Sequence, residues 1–151
     1  MVKLWFFSDP HFGHRNIIDY CQRPFASAQE MDEHIIERIN SVVKPGDHWY
    51  CLGDWSIKRP QKGSAKRLNG RGRLIMGNHD IYRVEDYLAA GIEKVMAYRV
   101  INGIMSRHTP IHPASFSRFR ANVHGHIHNN DGADYGWPYI NLSVEVINYT
   151  P

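Results

Sequence analysis

Five apolar runs in this chain each end in Asp, Asn or His, and that recurrence constrains the fold more than any other feature. The run Lys3 to Ser8 leads into Asp9-Pro10-His11. Trp49-Tyr50-Cys51-Leu52 leads into Gly53-Asp54, and Arg73-Leu74-Ile75-Met76 into Gly77-Asn78-His79-Asp80. A later run ends near His108-Thr109-Pro110 and another in Gly125-His126-Ile127-His128. Short apolar runs closed by Gly or Pro read as buried strands. In α/β sheets ligands bind beyond the carboxyl ends of the strands, so these five termini are where chemistry is expected.

The segments between the first runs read as helices. Ser27-Ala28-Gln29-Glu30 is a capping box, and Met31, Ile35, Ile39 and Val42 or Val43 follow at helical spacing until Pro45-Gly46. A short helix is expected over about 60–68 and another over Val84 to Ala90, closed by Gly91. Beyond Glu93 the chain reads as strands: Val95 to Ile101, Ile104 to Arg107, Ala121 to His124 and Tyr139 to Ile147. Alternating strands and helices followed by strands predict sheets covered by helices, an α/β sandwich.

The length of 151 residues fits one domain, 1–151, with no cap domain. A chain this long buries roughly two-thirds of its unfolded surface and needs no disulfide, so Cys21 and Cys51 read as reduced core residues. No apolar run approaches the roughly 20 residues of a membrane span, and the first run is too short for a signal sequence. The expectation is a cytoplasmic protein of a bacterium or a phage-infected host, with no membrane partner and no obligate protein partner. The net charge is +3, but its distribution is uneven. Lys58, Arg59, Lys62, Lys66, Arg67, Arg71 and Arg73 crowd between Trp55 and His79, where no acidic residue occurs. Such a segment is a solvated face or a contact for an anion.

Taken singly, each strand terminus is also an ordinary turn or helix cap. Together they supply two carboxylates, an amide oxygen and four imidazoles. This mixed oxygen and nitrogen set suits Mn, Fe, Zn, Co or Ni rather than Ca, and it contains no thiolate. The set suffices for two ions. Two dications bring four positive charges, two Asp carboxylates neutralise half, and the remainder attracts hydroxide and an anionic substrate such as a phosphate ester.

The ordered set Asp9-x-His11, Gly53-Asp54, Gly77-Asn78-His79-Asp80, His108-x-Pro110 and Gly125-His126-x-His128 resembles the calcineurin-like metallophosphoesterase superfamily, over nearly the whole chain. The resemblance implies a four-layer αββα sandwich of two mixed sheets with a dinuclear site at the strand carboxyl ends. It implies two divalent transition metal ions, manganese among the choices. Asp9, His11, Asp54 and His128 would hold one ion, and Asn78, His108 and His126 the other, with Asp54 bridging. His79 would stand outside as the acid that protonates the leaving alkoxide, oriented by Asp80 or another carboxylate. The motif His-x-Pro selects His108 over His112. His124 alternates with His126 and His128; on a strand all three face one way, which makes His124 a support for the ligands or simply a hydrogen-bonded histidine.

The segment from Asp9 to Ile18, with Tyr20 to Phe25, resembles short bacterial and phage members. His14, Arg15, Asn16 and Arg23 follow the first ligand strand as phosphate or base contacts, or as an exposed, capped helix start. Gly53-Asp54 lacks the Asp-Arg-Gly that follows in the superfamily's phosphoprotein phosphatases, and Lys58 is a point charge rather than a bidentate fork. The expected function is therefore hydrolysis of a nucleotide or oligonucleotide phosphodiester by a metal-bridging hydroxide, with Asp54 and His79 as catalytic residues and Asn78 also contacting substrate. The alternatives are a phosphomonoesterase, or a metal- or nucleic-acid-binding module without catalysis.

Overall fold

The structure, a computed structural model, describes residues 1–130 and 135–151. Strands β1 (Leu4–Phe7), β2 (His48–Cys51), β3 (Arg71–Ile75) and β4 (Lys94–Met96) form one parallel sheet in that order. Parallel neighbours require crossovers. Helices α1 (Arg15–Tyr20) and α2 (Ala28–Val42) make the first, a 3-10 turn at Ser64–Arg67 lies in the second, and α3 (Val84–Ala90) makes the third. The register pairs Phe7 with Cys51 and Cys51 with Leu74, so the carboxyl ends of β1, β2 and β3 open side by side.

The second four-stranded sheet has the order β5 (Arg99–Ile101), β6 (Ile104–Ser106), β7 (Ala121–His124), β8 (Tyr139–Asn141). β5 and β6 form a hairpin whose turn residues Asn102 and Gly103 have φ of 50° and 78°, the left-handed pair that a two-residue hairpin turn demands. β6, β7 and β8 run parallel, which brings the segments after β6 and β7 to the same end.

Alternation along the strands divides the core. Phe7, Trp49 and Cys51 pack with Met31, Ile35, Ile39 and Val43 of the α2 segment, all at most 1% exposed. Each large apolar side chain buried there contributes roughly 1.5–3 kcal/mol. Phe6, Tyr50 and Leu52 face the other way, into a cluster with Ile75, Met96, Val123, Ile104 and Ile140 drawn from both sheets. The α2 N-terminus is capped by Ser27 Oγ, which accepts from the Glu30 amide at 3.1 Å, while the Glu30 carboxylate accepts from Ala26 N rather than from Ser27 N.

Two strand expectations are corrected. Val95 to Ile101 is not one strand: it breaks at Ala97-Tyr98, with β4 in the first sheet and β5 in the second. Tyr139 to Ile147 is a strand only to Asn141, because Asn141 Oδ1 accepts from both the amide and the hydroxyl of Ser143 (3.0 and 2.8 Å) and turns the chain. The exit then seals onto β1, with Ser8 N donating to Leu142 O at 2.8 Å and Val144 N to Ser8 O at 3.0 Å. Both cysteines are free and buried. Among the described residues, no helix is long and apolar enough to cross a membrane.

Asp47 ties the N-terminal strand to the α2–β2 connection by accepting from Lys3 N, Trp5 Nε1 and Lys44 N at 3.0–3.1 Å. These bonds hold its carboxyl down at about 2. A depressed folded-state value stabilises above the unfolded value near 3.8 and loses that contribution as pH falls through about 2. Asp47→Asn is expected to lower the thermal midpoint at pH 7, with the gap to wild type closing as pH falls from about 4 to about 2. A gap independent of pH across that window counts against this role.

Candidate metal centre

The loops after β1, β2 and β7 carry the chemistry on backbone that non-glycine residues seldom adopt. Asp9, His11, Asp54, His126 and His128 have φ of 58°, 51°, 55°, 72° and 49°. Such conformations persist when surrounding bonds over-determine them. Asp9 N donates to Gly53 O at 3.0 Å and His11 N to Asp54 O at 3.1 Å, locking the first two loops together. Asp80 binds the second loop to the third by accepting from the amides of Asp54, Gly77 and Trp55 at 2.8, 2.8 and 3.0 Å. Burial pushes its carboxyl up to about 6, against those three donors. Asp80 therefore braces the Asp54 loop, and among the described residues its carboxylate makes no contact with the His79 ring. Gly77 and Gly125 allow the closest approach: a Cβ on the first would strike the Asp54 carboxylate, and one on the second Ser8 Oγ and the Asp9 carboxylate.

The side chains converge in two groups that share Asp9. Ligand atoms of Asp9, His11 and His128 lie within 4.8 Å of one another, as do those of Asp9, Asp54 and His108. Asp54 Oδ2 stands 3.5 Å from both His11 Nε2 and His108 Nε2. His128 Nε2 is 3.7 Å from Asp9 Oδ1. Asn78 Oδ1 and His126 Nδ1 lie 2.9 and 3.2 Å from His108 Nε2. His108 Nδ1 sits 2.8 Å from Leu52 O, which assigns a proton to Nδ1 and leaves Nε2 as the atom that faces the cluster. His112 is elsewhere, exposed, with Nδ1 accepting from Ala114 N at 3.2 Å. Asp9, His11, Asp54 and His108 form a buried floor; Asn78, His79 and His126 form an exposed rim.

A cation fits this floor. Asp9 Oδ1 and both ring nitrogens of His11 are buried and have no hydrogen-bond partner among the described residues. The other Asp9 oxygen is satisfied by His126 N at 2.9 Å and Ser143 Oγ at 3.1 Å, so the unpaired one is left facing imidazole nitrogens. Unpaired buried polar atoms are rare and costly unless an ion or water completes them. Burial holds His11 down to about 3, so its ring is neutral and keeps one nitrogen lone pair for a cation. Against the burial that would raise it, His108 holds Asp54 at about 2, as an anion.

Behind His128 lies a group that the sequence reading missed. Glu145 Oε1 is 3.1 Å from His128 Nδ1, and with Cys21 these residues form a third cluster with ligand-type atoms within 4.8 Å. Burial opposes it, yet Cys21 and Glu145 raise His128 to about 10. Arg23 closes the arrangement. Its Nε and Nη2 bind Glu145 Oε1 at 2.8 and 2.6 Å, Nη2 also donates to Asp9 O at 2.7 Å, and Nη1 binds Pro10 O at 2.9 Å and Met31 Sδ at 3.2 Å. Arg23 is buried with its donors spent, so the expectation that it contacts substrate is corrected. The only sequence signal for Glu145 was an acid between Val144 and Val146 in a run read as strand.

The remaining candidates divide. His79 N donates to Asp54 Oδ1 at 2.9 Å, and its exposed ring lies 5.6 Å from that of His11. His14 is half-buried, with its ring 5.5 Å from His11. Arg15 is exposed and paired with Asp19 at 3.1 Å, and Lys58 is exposed on a separate cavity wall. His124 does not face the same way as His126 and His128 by strand alternation, because β7 ends at His124. Its Nδ1 contacts Gly125 O at 3.0 Å and its ring packs near Tyr139. Asn141 Nδ2, by contrast, holds the His128 carbonyl at 2.7 Å.

These features define a mixed α/β protein of two four-stranded sheets whose strand ends gather Asp, Asn and His into a cluster able to hold metal. The chain belongs to the family of the uncharacterized protein MJ1445 of Methanocaldococcus jannaschii, with which it is 37% identical over 164 residues, covering all of this chain and 86% of the relative. It is also similar to the gene 66 proteins of Mycobacterium phages L5 and D29, at 37% identity over 87 residues and 32% over 94. Each of those matches covers 53% of this chain and 41% of the phage protein. The crystal structure of AQ665, a protein of unknown function from Aquifex aeolicus, superposes with a TM-score of 0.79 at 27% identity, covering 100% of this chain and 95% of that one. No family model matches the chain.

Proposed function

We propose that this chain is a two-metal phosphoesterase of the calcineurin-like superfamily, folded as a four-layer αββα sandwich and acting on nucleotide or oligonucleotide phosphodiesters. The observation that carries the reading is Asp54 Oδ2, equidistant at 3.5 Å from His11 Nε2 and His108 Nε2, between two ligand groups that share Asp9. Asp9, His11, Asp54 and His128 would hold one divalent transition ion; Asn78, His108 and His126, with Asp54 shared, would hold the second. When bound, such a pair polarises a phosphoryl oxygen and lowers the pKa of water.

The protein's own residues do the rest. Asp9 and Asp54 supply the anionic floor, and Arg23 and Asp80 fix the loops that carry them. Asn78, exposed at the rim with Oδ1 on His108 Nε2, would offer its amide N–H to an incoming phosphate. The His79 ring, exposed beside the cluster, gives a proton to the departing alkoxide oxygen. His79→Ala is expected to keep both metals and to lower turnover of an alkyl diester by about 10²–10⁴-fold. The loss should shrink for nitrophenolate, which leaves without a proton. Loss of metal in this variant, measured by elemental analysis, would show that His79 is a ligand instead.

The test of substrate class is kcat/KM on bis(nitrophenyl) phosphate against nitrophenyl phosphate, at one pH with one metal. A monoester dianion is best held by a guanidinium fork. Arg23 spends its donors internally and Arg15 is paired with Asp19, so the diester is expected to be the better substrate. Faster monoester turnover makes the chain a phosphomonoesterase, and no turnover of either with Mn²⁺ or Ni²⁺ removes the enzyme reading.

A further inference from the structure

The basic segment noted in the sequence divides in the structure. Arg71 and Arg73 sit on β3, away from its carboxyl end, with Arg71 paired to Glu93 at 2.9 Å and Arg73 over the Tyr50 ring at 5.3 Å. Lys58, Arg59, Lys62 and Arg67 instead line one cavity of about 390 Å³. That volume lies in the usual range for small-ligand sites. The cavity is separate from the metal cluster, but its wall begins where two ligand loops end: Phe12 and Gly13 follow His11, and Trp55 and Ser56 follow Asp54.

The cavity is polar at two opposed kinds of group. Arg67 is committed to Glu33 at 2.6 Å and Arg59 leans on Asp86 at 3.6 Å. Lys58 and Lys62 have no carboxylate partner among the described residues. Ser64 Oγ, also on the wall, is shielded from solvent and has no hydrogen-bond partner among the described residues. Among the described residues Asp32 is the one acid lining the cavity; both of its oxygens accept from Gly13 N, at 3.1 and 3.0 Å, leaving lone pairs for a further donor. Between these groups the lining is apolar: Phe12 and Trp55, in edge contact at 4.8 Å, with Ile36 and Leu68.

We infer that this cavity binds a nucleotide unit of the substrate, flanking the bond cleaved at the metal cluster, with its phosphate on Lys58, Lys62 and Ser64. Bare phosphate would be repelled by Asp32. A nucleoside phosphate satisfies both ends, with the anion at the lysines, a sugar hydroxyl or exocyclic amine donating to Asp32, and the ring on the apolar wall. The placement as a subsite rests on the phosphoesterase reading; recognition of the nucleotide does not.

The first test uses metal-stripped protein, which removes phosphate binding at the metal cluster. AMP is expected to bind in calorimetry, and adenosine at least about tenfold more weakly, since a hydrogen bond to a charged group is worth that much. Lys62→Glu and Ser64→Ala should each weaken AMP, and added salt should weaken it further. Equal binding of AMP and adenosine, or AMP binding indifferent to both variants, overturns the inference. The second test uses the metal-loaded enzyme. Lys62→Glu should lower the ratio of kcat/KM on an adenylate tetranucleotide to that on bis(nitrophenyl) phosphate by about tenfold. If AMP binding is lost while that ratio holds, the occupant is a free nucleotide and the subsite is overturned. If neither ester is hydrolysed, the phosphoesterase reading and the subsite fall together, and the binding arm alone then decides nucleotide recognition.

Discussion

On the two-metal phosphoesterase reading proposed above, Asp54→Asn is expected to lose metal and hydrolysis together, with kcat/KM falling by about 10³-fold or more, because two-metal assistance would supply several kcal/mol to the transition state. Asp54 Oδ2 stands 3.5 Å from ring nitrogens of both groups, His11 Nε2 and His108 Nε2. The asparagine oxygen can keep the bond from His79 N, now 2.9 Å to Oδ1, and its NH2 can donate to an imidazole lone pair. The metal-free fold should therefore survive. A melting temperature that no longer rises with added Mn²⁺, beside an unchanged metal-free value, is the expected signature. Retained hydrolysis with a retained metal-dependent rise would remove Asp54 from the bridging position.

Arg23→Met is expected to destabilise the fold by about 3–5 kcal/mol, the usual cost of leaving one member of a buried ion pair alone. Glu145 would lose its 2.6 and 2.8 Å contacts, and the carbonyls of Asp9 and Pro10 would lose their donors. Replacing both partners, Arg23→Met with Glu145→Leu, should restore much of that stability, because no charge is then stranded. It should not restore metal affinity. His128 Nδ1 would lack the acceptor that aims Nε2 at Asp9, and loss of such a support lowers affinity by about 10–100-fold. Urea denaturation of metal-free protein gives the first quantity and a metal titration the second. A double variant no more stable than the single one would show that the pair is not the unit.

The parts of this molecule that were legible in the sequence are those set by local rules. The α2 stripe of Met31, Ile35 and Ile39 follows from helical period, and α3 from a periodic run closed by Gly91, whose φ is 107°. Strands β1, β2 and β3 could be read because each is a short apolar run closed within two residues by Gly or Asp. What failed depends on partners distant in the chain. Nothing local distinguishes Val95 to Ile101 as one strand from two strands in different sheets. Arg23 reads as an exposed contact until Glu145, 122 residues away, is seen to take its guanidinium. His124, His126 and His128 suggested alternation because a period of two assumes a strand, and the strand stops at the first of them. Asp80, three residues from Gly77, was visible as a neighbour of the ligands, but not as the acceptor of three backbone amides.

The left-handed backbone at Asp9, His11, Asp54, His126 and His128 carries a lesson for anyone transplanting this centre. Aspartate, asparagine and histidine are the non-glycine residues most at home at positive φ, and they are also among the common donors for a transition metal. One small part of the amino-acid alphabet thus meets two unrelated demands at the same positions. Glutamate offers the same donor atom as aspartate but lacks its tolerance for that backbone. A graft that copies side-chain directions onto extended or helical segments would reproduce the donors and miss the turns that hold them.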